Sequence, residues 1–367
     1  MDNARAPLVF VYKLRIACPV CRRKDGGCGV LSDRSRVLCW KVPSDNPDQS
    51  GTHWWHDWPT VSEALSDEVL AALSSHKIEE TATLAPLAVR DAVYRQLLSQ
   101  CDRQERERRD LIKRGFKPDG IPPLLRSVPT MLRAVEITTA LASEFDLSGV
   151  PGFYASHTFN LGPCNDECFY DEVGALAWSI SLSGSLTFRG GLLIPYISPD
   201  GLIQAVQIRR NGTSKNKYIW LSAGSVDLEK HPDVIASSRG KADNKPAHYA
   251  NVAQMKESGE AYIVEGGLKA EVASYLSGVG VIGFGGLHAP ADFTLSLVEQ
   301  LPQVRTLHLC FDADWRQNVQ VKRAVLTLSD ELRAARFQVN IASWSAMKGK
   351  GFDDYLLALR EERREAA

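Results

Sequence analysis

The stretch Ala261–Ala270, AYIVEGGLKA, read together with LCFDAD at Leu309–Asp314, decides the fold. Tyr262, Ile263 and Val264 form a short β-prone apolar run that stops at a carboxylate, Glu265. Gly266 and Gly267 then lead into a helix-like stretch carrying Lys269, Ala273 and Leu276. The second run, Leu307–Phe311, has the same strand character and ends at Asp312 and Asp314. In an open parallel α/β sheet, ligands and catalytic groups gather in the crevice beyond the carboxyl ends of the strands. Two strands ending in Glu and in Asp-x-Asp therefore put three carboxylates at one rim. Such a rim suits Mg²⁺, which takes oxygen ligands from a few carboxylates plus substrate phosphates. The chemistry read from these residues is metal-dependent phosphate transfer.

Outward from this pair, strands and helices alternate. VGVIGF (279–284) reads as a buried strand, 291–301 as a helix and 307–312 as a strand. A long amphipathic helix over 319–336 and a strand over 338–344 follow. That alternation predicts a parallel sheet. GFGG at Gly283–Gly286 lacks the spacing of a dinucleotide site and reads as a tight strand-to-loop turn. Asp353 and Asp354, after Lys348-Gly349-Lys350-Gly351, either support the metal or cap the helix YLLALREERR.

Glu265-Gly266, Asp312-x-Asp314 and the trailing KGKGFDDYL (348–356) together resemble the TOPRIM fold of primases and topoisomerases. In that fold the glutamate follows the first strand and the Asp-x-Asp a later one. VEGGLKAEVA also looks like the version found in primase-like proteins of phages and mobile elements. Glu265 taken singly is an ordinary strand-end acid; the ordered constellation argues for a site.

At 367 residues the chain suggests two or three domains. Its 44% hydrophobic and 24% charged content is that of a soluble globular protein. With a net charge of -1, contact with nucleic acid must come from local patches. No run approaches the ~18 apolar residues of a membrane span. The opening MDNARAPLVFVYKL makes a poor signal peptide, so a cytoplasmic location is expected. There, cysteines are reduced or metal-bound.

Four of the eight cysteines, Cys18, Cys21, Cys28 and Cys39, lie in CPVCRRKDGGCGVLSDRSRVLCW. Cys-x-x-Cys places two thiolates on one side of a metal, and Cys28 and Cys39 close a tetrahedral Zn²⁺ site. Arg34–Trp40 reads as a short strand that returns Cys39, as in a zinc ribbon. The rivals are a redox pair, which expects a βαβ context, and small buried hydrophobes. His53 or His56 is an alternative ligand in place of Cys28 or Cys39. Trp54, Trp55 and Trp58 either pack over this module or stack on unpaired bases.

The region 59–147 reads as helical, from SEALSDEVLAALSS and the long pattern through AVRDAVYRQLLSQ to Gly115. From Gly149 the composition turns to glycine and β-branched residues, predicting antiparallel strands with a turn at Ser198-Pro199-Asp200-Gly201. Between Gly201 and Leu221 there is no acid, while Arg209, Arg210, Lys215 and Lys217 are basic. These residues either neutralise phosphates or guard an edge strand against aggregation. Residues 236–251 read as a polar connecting loop, in which His248 either contacts a phosphate or, as is usual for a lone loop histidine, does not. Cys164 and Cys168 read as incidental loop thiols.

The whole is expected to be an α/β protein in four parts. These are a zinc-binding module (1–58), a helical linker (59–147), a basic α+β N-lobe (148–255) and a TOPRIM parallel sheet with a C-terminal helix (256–367). GLLIPY…DGLIQAVQIRR…KYIWLS looks like the N-terminal lobe of bacterial replicative primase cores. The resemblance implies templated synthesis of short RNA primers on single-stranded DNA from nucleoside triphosphates. It implies Glu265, Asp312, Asp314 and Lys269 at the catalytic centre with Mg²⁺ or Mn²⁺, supported by Asp353 and Asp354. Arg209, Arg210, Lys215, Lys217 and Lys348 would hold nucleic acid or nucleotide. No G-x-x-x-x-G-K-[ST] motif occurs, so a helicase would be a separate protein. The alternatives are a TOPRIM nuclease and a non-catalytic DNA-binding replication or defence factor.

Overall fold

The computed structural model describes residues 8–10, 17–23, 28–31, 36–48, 53–57, 84–156, 177–181, 190–212, 217–224, 226, 234–240 and 245–366. The chain divides into two compact units, Met1–Glu79 and Glu80–Ala367. The expected helix over SEALSDEVLAALSS, Trp58, Cys164, Cys168 and Lys215 lie outside the described residues.

In the first unit, β1 (Leu8–Phe10), β2 (Gly29–Leu31), β3 (Arg36–Cys39) and β4 (Trp54–Asp57) form an antiparallel sheet in sequence order. Strands of three or four residues bury little apolar surface. Val30 and Val37 are buried, and so are three of the cysteines, Cys18, Cys28 and Cys39. A module this small usually needs a metal or disulfide to hold it.

The second unit opens with α1 (Leu87–Gln100), α2 (Glu105–Lys113), β5 (Arg126–Ser127) and α3 (Met131–Glu144). A hairpin of β6 (Phe153–Ser156) and β7 (Ala177–Ile180) follows. Next come β8 (Gly191–Ile197), β9 (Ile203–Arg210) and β10 (Tyr218–Trp220). The order β10-β9-β8-β5 is antiparallel throughout. The expected turn joins β8 to β9, with Gly201 at φ +81° donating its N–H to the Ser198 carbonyl at 2.9 Å.

The described part of 59–147 does not stand apart as a linker. Val93, Tyr94, Leu97 and Leu98 of α1 share one core with Leu193, Val206 and Ile208 of the sheet. Asp91 accepts the Ile203 N–H at 2.7 Å, and β5 pairs with β8. An amphipathic helix must bury its apolar stripe, and the nearest apolar surface is the face of β8 and β9.

The remainder runs β11 (His248–Ala250), α4 (Val252–Ser258), β12 (Glu260–Glu265), α5 (Gly267–Ser277) and β13 (Val281–Phe284). It continues with α6 (Phe293–Gln300), β14 (Thr306–Leu309), α7 (Val319–Ala334), β15 (Gln338–Ile341) and α8 (Phe352–Glu365). The sheet order is β11-β13-β12-β14-β15, parallel except for β11. Alternation along β12 divides the packing. Ile263 joins a core with Phe293, Leu297, Val325 and Leu328 of α6 and α7. Val264 joins one with Ala270, Ala273 and Phe352 of α5 and α8. Helices thus cover both faces, as a buried parallel sheet requires.

β11 corrects the reading of 236–251 as loop. Its three residues are too few for periodicity to register, yet they pair with Val281–Gly283 and are buried. Among the described residues no helix is long and apolar enough to cross a membrane.

Candidate active site at the carboxyl rim of the parallel sheet

Leu309 lies level with Ile263 across the β12–β14 ladder, and the Cys310 N–H reaches the Ile263 carbonyl at 2.8 Å. Glu265 is two residues beyond that level and Asp312 three, so both emerge at the same end of adjacent strands. Gly266 then turns the chain at φ +101°, left-handed backbone that favours glycine. Its N–H is held by the Phe284 carbonyl at 2.6 Å. This turn starts α5 at once and brings Lys269 back over the rim.

Lys269 Nζ is hydrogen-bonded to Asp312 Oδ1. Lys350 Nζ lies 3.6 Å from Asp312 Oδ2 and 3.4 Å from Asp314 Oδ2. The Ala313 N–H donates to the Lys350 carbonyl at 2.8 Å, tying the two acid-bearing and lysine-bearing loops together. Phe352 stacks on Tyr262 of β12, ring centroids 5.8 Å apart, which anchors the Lys350–Asp354 segment to the sheet.

Burial raises the Glu265 pKa; the Lys269 charge opposes this, and Asp312 adds to it. Burial alone would lower the Lys269 pKa, but the charge and hydrogen bond of Asp312, with Asp353 and Glu265, more than offset it. The three carboxylates expected at this rim are not alone: the ammonium groups of Lys269 and Lys350 sit against Asp312 and Asp314. Among the described residues, the four cysteines alone form a set of three or more His, Cys, Asp or Glu side chains with ligand atoms within 4.8 Å of one another. Glu265, Asp312 and Asp314 share a rim without converging on one point.

The donor chemistry nonetheless suits a hard cation. Asp312 Oδ2 and Asp314 Oδ2 already flank one positive charge, the ammonium of Lys350, whose side chain is 66% exposed and free to leave. Asp312 and Asp314 are the residues that would hold a divalent ion, with Glu265 beside them. Asp354 is committed to capping, its Oδ2 accepting the Gly351 N–H at 3.1 Å. Asp353 is buried, with Oδ2 3.5 Å from Arg114 Nη1. Lys348 Nζ pairs with Glu362 of α8 at 2.9 Å.

Two supporting residues carry no motif. The Tyr196 hydroxyl accepts the Gly267 N–H at 3.0 Å and donates to Gln207 Oε1 at 3.0 Å. His248, fully buried, accepts the Ile197 N–H on Nδ1 at 3.1 Å and has Nε2 3.0 Å from Glu271. The Tyr196–Gly267 hydrogen bond and the His248–Glu271 contact tie β8 to α5. That position for His248 removes it from any phosphate contact at the surface.

The basic residues of β9 line a cavity of about 510 Å³ against α2. Arg209, Arg210 and Lys217 face it from the sheet, and Arg106, Arg109 and Lys113 from the helix. Arg209 is ion-paired with Asp110 at 2.7 Å, and Arg114 reaches the same carboxylate at 3.3 Å. Burial and the Arg209 and Arg114 charges lower the Lys217 pKa. Positive charge is in excess there, a condition that an anion relieves.

In the first unit Cys21 Sγ and Cys28 Sγ are 3.7 Å apart, close to the ~3.8 Å edge of a tetrahedron with 2.3 Å Zn–S bonds. The Lys41 and Val42 N–H groups each donate to Cys39 Sγ at 3.4 Å. Burial raises the Cys18 pKa to about 11 and that of Cys28 further. Cys21 goes the other way: burial raises it, but the Arg23 backbone and neighbouring thiols lower it more. The histidines do not join the cluster. His53 Nδ1 lies 3.6 Å from Asp48, and His56 Nε2 contacts the Val42 carbonyl at 3.0 Å.

Residues 251–363 match the family described as Domain of unknown function (DUF3854). No curated protein matches the sequence. The fold is similar to that of the Aquifex aeolicus primase comprising zinc-binding and RNA polymerase domains. That likeness has 15% identity, 95% coverage of this chain, 77% of the other and a TM-score of 0.49. A DnaG primase catalytic domain bound to single-stranded DNA is similar at 13% identity, covering 77% of this chain and 79% of that one, TM-score 0.48. The RNA polymerase domain of Mycobacterium tuberculosis DnaG gives 16% identity, 75% and 81% coverage and a TM-score of 0.47.

Proposed function

We propose that the chain is a primase-type nucleotidyltransferase making short RNA primers on single-stranded DNA, in the replication of a phage, plasmid or other mobile element. The observation that carries this reading is the placement of Glu265, Asp312 and Asp314 at one end of adjacent parallel strands, with Lys269 bonded to Asp312. The TOPRIM-like order of these residues in the sequence supports it, as do the zinc-ligand set and the cationic cavity.

In the reaction, a 3′-hydroxyl oxygen attacks the α-phosphorus of a nucleoside triphosphate. The O3′–P bond forms, the bond to pyrophosphate breaks, and the hydroxyl proton must be accepted. Glu265, desolvated and so more basic than a surface carboxylate, is the proton acceptor at that rim. Asp312 and Asp314 would hold Mg²⁺ or Mn²⁺, which would supply charge neutralisation for the triphosphate and activation of the hydroxyl. Lys269 pairs with Asp312 in the metal-free rim and keeps a positive charge at the reacting end of the sheet. Arg210 and Lys217, with Arg209 braced by Asp110, hold template or nucleotide phosphates in the cavity. The cysteine module reads the template, and a separate helicase opens the duplex in the cytoplasm.

The test is incubation with single-stranded DNA, labelled ribonucleotides and Mg²⁺ or Mn²⁺, scored for extension and for cleavage. Labelled RNA products of a few nucleotides or more support the proposal. Cleavage without extension assigns the same acids to a nuclease, and neither product assigns the chain to binding alone.

A further inference from the structure

Asp353 is a buried acid beside the rim that the proposed chemistry leaves without work. It is 2% exposed, its Oδ2 meets Arg114, and among the described residues its Oδ1 has no hydrogen-bond partner. A buried carboxylate oxygen left unpartnered is costly and calls for an explanation. Its surroundings provide one. A methyl group built on Gly351 would lie 2.3 Å from Asp353 Oδ1 and 3.3 Å from Lys269 Nζ. A Cβ there would thus press on both the orphan oxygen and the Lys269 ammonium. Gly351 has φ -84°, a conformation open to any residue, so backbone geometry does not demand glycine there.

Lys269 itself is held by Asp312, one of the two residues offered to a divalent ion. A metal arriving on Asp312 and Asp314 places two positive charges beside that ammonium. The Lys350 side chain is 66% exposed and can turn to solvent, whereas that of Lys269 is only 26% exposed. The ammonium needs a second anion within reach of a terminal side-chain rotation.

We propose that Lys269 is a two-position cation, bonded to Asp312 when the rim is metal-free and to Asp353 Oδ1 when a divalent ion occupies Asp312 and Asp314. Asp353 is then a positioning residue that acts through Lys269, not a metal ligand, and Gly351 keeps the path between them open. This rests on the metal-binding reading of the rim given above.

The test is calorimetric titration of the full, zinc-loaded chain with Mn²⁺, without nucleic acid or nucleotide. Asp353→Asn is expected to weaken Mn²⁺ binding about tenfold, the cost of losing a charged hydrogen-bond acceptor. Gly351→Ala is expected to weaken it in the same direction, and carries the test alone where Asp353→Asn fails to fold. In a Lys269→Met background Mn²⁺ should bind more tightly, and both effects should vanish. If the Asp353→Asn loss persists in that background, Asp353 is a direct ligand and the relay is wrong. No loss from either substitution also overturns it. Asp312→Asn separates the two levels. Unchanged Mn²⁺ affinity in that variant removes metal from the rim and the relay with it, whereas lost affinity without Asp353–Lys269 coupling removes only the relay.

Discussion

The Tyr196 hydroxyl receives the N–H of Gly267 at 3.0 Å, although 71 residues separate them, and this bond sets where α5 begins. Gly267 is two residues past Glu265 and two before Lys269, so the antiparallel sheet fixes both. Burial raises the Tyr196 pKa well above that of a free phenol, so the hydroxyl stays neutral at neutral pH. Tyr196→Phe leaves the buried N–H unsatisfied and should cost about 1–3 kcal/mol. Turnover should fall more than substrate affinity. Thermal unfolding and a kcat–KM comparison check this, and an unchanged kcat would limit Tyr196 to packing.

Asp312 pairs with Lys269, and that pairing decides how its amide variant behaves. Asp312→Asn should abolish primer synthesis. It should also lower the metal-free melting temperature, because Lys269 loses its charged partner, at a cost of about 1–3 kcal/mol. A variant that keeps full activity removes Asp312 from the mechanism.

Glu265 should behave oppositely in stability. Its folded pKa is raised, so the neutral form is the stabilising one: that contribution is present below the unfolded pKa of 4.5 and lost as pH rises through the folded value. Glu265→Gln should therefore be more stable than the parent at pH 7 without metal, and equal to it below pH 4.5. Activity should be lost at both. Melting curves at the two pH values decide the sign.

The cysteine cluster should hold about one Zn²⁺ per chain. Cys18 and Cys28 have raised pKa values and carry protons when metal-free, so zinc binding must release them and affinity should rise with pH. Cys21→Ser should lose the metal and unfold the first unit while Glu80–Ala367 stays folded. Elemental analysis without zinc would remove the assignment.

Arg210→Ala and Lys217→Ala should each weaken single-stranded DNA binding and reduce the salt slope by about one. Arg209→Ala should also cost stability, since Arg209 is mostly buried against Asp110. A salt titration that leaves affinity unchanged would make these residues edge protection.

The alternation after Glu265 was readable because each buried strand is a short apolar run ended by glycine or an acid, and each helix shows a periodic face. The cysteine cluster was readable through spacing alone. What escaped is what depends on distant partners. Asp110 and Arg209 are 99 residues apart, and no local pattern in α2 announces that pairing. Tyr196 and His248 read as an ordinary strand residue and a loop residue, because their roles are bonds to backbone amides in other elements. The lysine charges at the rim escaped for a related reason. Lys269 and Lys350 were visible, but only the turn at Gly266 and the docking of Phe352 bring them onto the acids.

The position of β12 as the middle of five strands has a consequence for opening motions. Its backbone is hydrogen-bonded on both sides, by β13 and by β14, whereas among the described residues β15 pairs only with β14. Fluctuations that peel strands from the sheet start at such a margin and reach the centre last. Amide protons of Ile263 and Val264 should therefore exchange with solvent only through global unfolding, while the outward amides of β15 exchange early. The strand that ends in Glu265 is held at the slowest-opening part of the sheet.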